Sequence, residues 1–145
     1  MKKVIIIDAS IAAKWLLPDE DDFIADTIKR AFGNRQVEIA VPIFIFYEVN
    51  NLLKSAALRS RISFKDALDF YENFLNLNFN IHSSKLLLKN TLQIALEFEI
   101  SSYDASYIAL AEYLKTPFYT ADLKLLKKAK GNNLVRDLKA FSYPN

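Results

Sequence analysis

Short runs rich in β-branched and aromatic residues alternate with longer helix-periodic segments along all 145 residues of the chain, and this alternation restricts the fold more than any other feature. The runs lie at residues 4–7, where four β-branched apolar residues follow one another, at 37–41, at 77–81, at 117–120, and weakly from Asn132 onward. Helices are predicted over residues 10–17, 21–32, 43–57, 63–75, 84–98, 103–114 and 123–128. Pro18 and Pro42 punctuate element ends, and Gly33 and Gly131 stand where C-caps are expected. The pattern predicts an α/β chain: a central parallel sheet of about five short strands flanked by helices. The length fits a single domain spanning residues 1–145.

Several kinds of chemistry are excluded by what the chain lacks. Without cysteine there are no disulfides, thiolate nucleophiles or cysteine zinc sites, and with His82 as the sole histidine there is no histidine-rich metal site. With two glycines the chain has no dinucleotide-binding or phosphate-cradling loop. Any metal must therefore be held by oxygen. A formal charge of +2 is too small to diagnose nucleic-acid binding. The apolar stretch after Lys3 meets Asp8 after four residues, where a secretory segment needs roughly 7 to 15, so a cytoplasmic protein without membrane association is expected.

Four acidic residues call for explanation. Asp8 ends the first apolar run and Asp122 stands just past "FYT"; each precedes a helix, where an aspartate caps the free backbone N–H groups. Strand ends in an open α/β sheet are also where ligands and catalytic groups gather. Asp104 falls three residues after Ser101, a variant capping box. Glu48 lies within the predicted helix 43–57, on a polar seam with Asn51 and Ser55 opposite a core stripe of Phe46, Val49, Leu53 and Ala56. Each has an ordinary structural explanation alone. Together they can converge at one sheet edge, where carboxylates either raise one another's pKa or bind a hard cation such as Mg²⁺ or Mn²⁺.

The stretches "VIIIDAS", "FYEVNNLL" and "SSYDASYIALAEYLKTPFYTAD" resemble the PIN-domain nucleases, most of all the VapC-type toxin ribonucleases, over nearly the whole chain. The resemblance implies a Rossmann-like fold with a helical hairpin beside the active site. It implies that Asp8, Glu48, Asp104 and Asp122 form a catalytic, metal-holding quartet supported by Ser10, Asn51 and Thr120. It further implies Mg²⁺- or Mn²⁺-dependent endoribonuclease activity, a toxin restrained by a small antitoxin, and a homodimer. The expected reaction is hydrolysis of RNA phosphodiester bonds, with water activated by one or two ions. Lys14, Lys54, Arg59 and Arg61 are candidate RNA contacts; solvated helix ends explain them equally well. "KLLKKAK" reads as a solvated face, His82 as structural, and Trp15 as core or interface. The flank near Trp15 and Phe44, with the hairpin at residues 43–75, is the expected antitoxin surface. The other readings are a housekeeping RNA-processing PIN nuclease, a non-catalytic RNA-binding module, and a phosphoryl-accepting domain using Asp8.

Overall fold

Ile5, Ile6 and Ile7 are fully buried, so strand β1 (Lys3–Ile7) needs cover on both faces and a partner on both edges. The computed structural model, which describes residues 2–144, gives it both. β1 pairs in parallel with β2 (Val37–Pro42) on one side and β4 (Phe118–Thr120) on the other. β3 (Asn80–His82) extends the sheet beyond β2, and β5 (Val135–Asp137) extends it beyond β4, giving the order β3-β2-β1-β4-β5. The chain therefore builds outward from β1 in one direction and then returns to build in the other. The reversal opens a crevice at the carboxyl ends of β1 and β4, the place where open α/β sheets accept ligands.

Among the described residues seven α-helices flank the sheet: α1 (Ala9–Leu16), α2 (Phe23–Gly33), α3 (Ile45–Leu58), α4 (Phe64–Leu75), α5 (Leu88–Phe98), α6 (Ser102–Leu114) and α7 (Leu123–Lys128). α6 is buried continuously from Ala105 to Ala111 and packs against α5, β1, β2 and β4, which explains why its sequence lacks a polar stripe. α3 and α4 form the expected hairpin. Tyr71 of α4 donates its hydroxyl to the Phe46 carbonyl at 2.7 Å, and Arg61 in the connecting turn reaches Asp19 through two bonds of 2.9 and 2.8 Å and Glu20 at 2.9 Å. Trp15 is part of the core edge, its indole N–H donating to the Ala25 carbonyl at 2.8 Å and its ring stacked toward Phe79.

Element boundaries and caps depart from the sequence reading at several places, among them α2, which begins at Phe23 rather than at residue 21. β3 covers 80–82 rather than 77–81, because Leu77 and Phe79 are used in a turn that leads out of α4 and buries the Phe79 ring. Residues 84–98 divide into a 3₁₀ turn, Lys85–Leu87, capped by Ser84, and then α5. α3 begins at Ile45, two residues later than predicted, which moves Glu48 into its first turn. Neither glycine adopts a left-handed C-cap; Glu99 and Lys115, each at φ 54°, end α5 and α6 instead. No helix among the described residues is long and apolar enough to cross a membrane.

Phe74 is fully buried where α4 meets α3 and the β3 approach, within 5.5 Å ring-centre distance of both Phe46 and Phe79. Phe74→Ala is expected to cost about 3–5 kcal/mol and to lower the melting temperature by roughly 10 °C, measured by thermal unfolding.

Candidate active site

The parallel register aligns Ile6 with Phe118 and Ile7 with Tyr119, so one further step sets Asp8 beside Thr120 at the crevice. Asp8 caps α1 and is only 5% exposed, yet it has no cation partner among the described residues. Its Oδ1 accepts the Ser10 N–H at 3.1 Å, the Ile11 N–H at 3.4 Å and the Ser10 hydroxyl at 2.5 Å; its Oδ2 accepts the Thr120 hydroxyl at 2.5 Å. The same hydroxyls accept in turn, Ser10 from the Ala121 N–H at 3.0 Å and Thr120 from the Asp122 N–H at 3.1 Å. This closed circuit ties the end of β1 to the end of β4. Both hydroxyls of the circuit donate to the Asp8 carboxylate.

The other three acids face the same crevice from separate elements. Asp122 caps α7 through Lys124 N–H at 3.0 Å and Leu125 N–H at 3.1 Å. Asp104 sits in the first turn of α6, its N–H bonded to the capping Ser101 hydroxyl at 3.0 Å. Glu48, in the first turn of α3, accepts the Tyr107 hydroxyl of α6 at 2.6 Å. Asn51 is exposed, and among the described residues no hydrogen bond joins it to Glu48.

Electrostatics join the four into one set. Burial pushes the Asp8 carboxyl up to about 6 against the lowering effect of its hydroxyl and N–H donors, and Asp104 adds to the rise. Burial also raises Glu48, opposed by the Tyr107 hydroxyl and reinforced by the charges of Asp8 and Asp104. Asp104 is raised by burial and by Asp122, with Ser101 opposing. No Lys or Arg among the described residues lies within ion-pair distance of any of the four. Oxygen donors that repel one another and lack a protein cation match a hard divalent ion. No group of three or more such side chains among the described residues is, however, already arranged to hold one. Asp8, Glu48 and Asp122 are instead each engaged by separate hydrogen-bond donors.

The basic candidates divide. Arg61 is bound by Asp19 and Glu20, and Lys14 stands 3.9 Å from Asp22, so both have acidic partners already. Lys54 and Arg59 are exposed, with Lys54 on the rim of the α3–α4 groove. A pair assigned to a plain solvated face stands closer to the acids: Lys124 and Lys128 line a cleft of about 180 Å³ together with Ser101, Asp104 and Asp122. Their i,i+4 spacing on α7, directly after Asp122, was the available signal.

The profile of the family described as "PIN domain" matches residues 5–131. The chain belongs to the PIN domain family. Ribonuclease VapC3 of Pyrobaculum aerophilum is 29% identical to this PIN domain over 126 residues, covering 86% of this chain and 93% of that protein. The crystal structure of PAE2754 from the same organism superposes with a TM-score of 0.67 at 26% identity, covering 96% of this chain and 93% of that one. VapBC2 of Rickettsia felis, solved bound to a promoter DNA fragment, gives a TM-score of 0.67 at 13% identity and covers 92% of this chain and 98% of that one, a likeness of fold.

The raised Asp8 pKa makes the folded PIN domain hold a proton more tightly than the unfolded chain does. Its ionisation therefore costs nothing below the ordinary value of 3.8, and the cost grows to roughly 3 kcal/mol once pH has passed through about 6. Asn at position 8 fits the circuit: its Oδ1 keeps the Ser10 and Ile11 donors, and its amide can donate to Thr120, whose proton turns toward Ser10 at 3.3 Å. In EDTA, Asp8→Asn is expected to raise the melting temperature near neutral pH, the gain shrinking as pH falls toward 4.

Proposed function

We propose that this PIN domain is a metal-dependent endoribonuclease, the toxin of a toxin–antitoxin pair. The observation that carries the reading is the set Asp8, Glu48, Asp104 and Asp122, electrostatically joined at the sheet's crevice without a protein cation. The ribonuclease name of the Pyrobaculum relative supports the activity, and the names of VapBC2 and of a toxin–antitoxin complex from Klebsiella pneumoniae support the pairing.

The four carboxylates would hold Mg²⁺ or Mn²⁺, which when bound acidifies water and neutralises charge developing on a phosphodiester. Ser10 and Thr120 fix Asp8 so that its oxygens do not swing away from the crevice. One of the carboxylates, Asp104 or Asp122, would take the proton released as water attacks phosphorus. Lys124 lies in the adjoining cleft, where a phosphate flanking the scissile bond would be held without its base being read.

The hairpin is the part of the expected antitoxin surface that best suits a partner. Trp15, packed toward Phe79, and Phe44, edge-on to Tyr103 and Tyr107, are each half-buried. The α3–α4 hairpin presents an apolar groove of about 360 Å³ with Leu58, Phe64 and Leu68 exposed along it.

Asp8→Asn, Glu48→Gln and Asp104→Asn should each abolish Mn²⁺-dependent cleavage of a labelled RNA while circular dichroism stays native. Wild-type rates in all three would overturn the reading. Mn²⁺ at about a hundred times its Kd should stabilise the wild type by about 2.7 kcal/mol and Asp122→Asn by less, read from melting curves. Lys124→Ala should raise KM for RNA with kcat unchanged, and flatten the dependence of log affinity on log salt by about 0.7. Expression of the wild-type chain alone should arrest growth, Asp8→Asn should not, and the neighbouring small open reading frame should restore growth and co-purify. Normal growth with active soluble enzyme would favour a housekeeping nuclease.

A further inference from the structure

Tyr107 lies one turn after Asp104 on α6, in a helix segment with no exposed face. Its ring is clamped from two sides: Phe118 of β4 stacks on it at 5.3 Å and 13°, and Phe44, at the N-cap of α3, meets it edge-on at 6.3 Å. Phe118 precedes Thr120 by two residues, and Phe44 precedes Glu48 by four. The phenol is thus fixed by the same elements that carry the acids, and its proton goes to Glu48 Oε1 at 2.6 Å.

Glu48 needs such a hold. Its side chain has three rotatable bonds, it is only partly buried, and Asp8 and Asp104 repel it with no protein cation opposing them. Without a donor on the crevice side, water and repulsion would both favour a rotamer turned outward. A phenol has one proton to donate, so it engages a single carboxylate oxygen and leaves Oε2 available. We propose that Tyr107 is a positioning residue that holds Glu48 toward the crevice, setting the affinity of the site for its divalent ion. This rests on the reading of Glu48 as a metal-holding carboxylate. A purely structural role for Tyr107 requires only that its buried hydroxyl find an acceptor, and it makes no claim on metal affinity.

The two roles separate in a Mn²⁺ titration followed by the loss of the electron paramagnetic resonance signal of the free hydrated ion, without RNA. Tyr107→Phe keeps the clamped ring and should weaken Mn²⁺ binding about tenfold, the lower range for loss of a partner bonded to a metal ligand, while the metal-free melting curve stays close to wild type. Glu48→Gln should weaken binding at least as much, and the double variant no more than Glu48→Gln alone, because Tyr107 acts through Glu48. Glu48→Asp keeps the charge but withdraws it by a methylene from the phenol; it should bind as weakly as Tyr107→Phe, and it keeps the test decisive should Tyr107→Phe not fold. If Glu48→Gln binds Mn²⁺ like the wild type, the reading of Glu48 as metal-holding fails. If Glu48→Gln loses binding while Tyr107→Phe or Glu48→Asp binds like the wild type, the positioning role is overturned and the metal reading stands. Additive losses in the double variant would also overturn it, since Tyr107 would then act by another route.

Discussion

A carboxylate withdrawn from water needs a compensating charge or a full set of hydrogen-bond donors, and Asp8 has only the second. Its donors come from β4 as well as from its own turn, so the circuit through Ser10 and Thr120 holds the two strands together at the point where the sheet reverses order. Everything else at the crevice is placed relative to this junction. A hydrophobic pair at positions 8 and 120 would close it more cheaply, because burial of the charge still outweighs the four donors in setting the Asp8 pKa. Retaining a destabilising acid at a ligand-accepting position is the pattern of a working site.

Helix ends make it possible to bring three more acids near Asp8 with no lysine or arginine of the described residues in ion-pair contact with them. Asp8 and Asp122 cap α1 and α7, and Glu48 and Asp104 sit in the first turns of α3 and α6. Each carboxylate lies at the positive end of a helix dipole, which contributes about half an elementary charge spread over free N–H groups, or about 0.3–1 kcal/mol. Such partial charges relieve the repulsion without cancelling it. The set therefore keeps its appetite for a cation, whereas a buried lysine would have satisfied it permanently.

This explains both what the sequence revealed and what it concealed. Capping does not compete with the proposed role of Asp8 and Asp122: the cap is the means by which each of these two acids is fixed, so a reading by local rules explains their place without disclosing what they face. The alternation of strands and helices was accessible because β-branched runs and helical periodicity are local signals, whereas the order of strands in the sheet is not. Glu48 appeared as a mid-helix acid since nothing local shows that Phe44 ends as the N-cap and α3 starts at Ile45. Tyr107 was missed altogether. Its partner lies 59 residues away, and its pattern within "DASYIALAEYL" is that of a core aromatic, which it also is. The surroundings of the basic residues were hidden for a related reason: a run of positive charge does not disclose that Arg61 is bound to Asp19 and Glu20, nor that Lys124 borders the acids.

α3 links the acidic crevice to the apolar groove of the hairpin. Its first turn carries Glu48, and Leu53 and Leu58, one to three turns further, line the groove. At 1.5 Å per residue these positions lie roughly 8 and 15 Å along the helix from Glu48. A chain in extended conformation spans about 3.3 Å per residue, so a partner seated in the groove needs only three to five further residues to bring a basic side chain to the carboxylates. Such a side chain would supply the cation that the protein itself withholds. It would relieve the repulsion among Asp8, Glu48 and Asp104 as a metal does, and so compete with metal for the same charge. On the proposed reading, the chemistry that would make the crevice receptive to a divalent ion would also make it receptive to a basic inhibitor, and α3 joins the groove where that inhibitor would anchor to the acid it would reach.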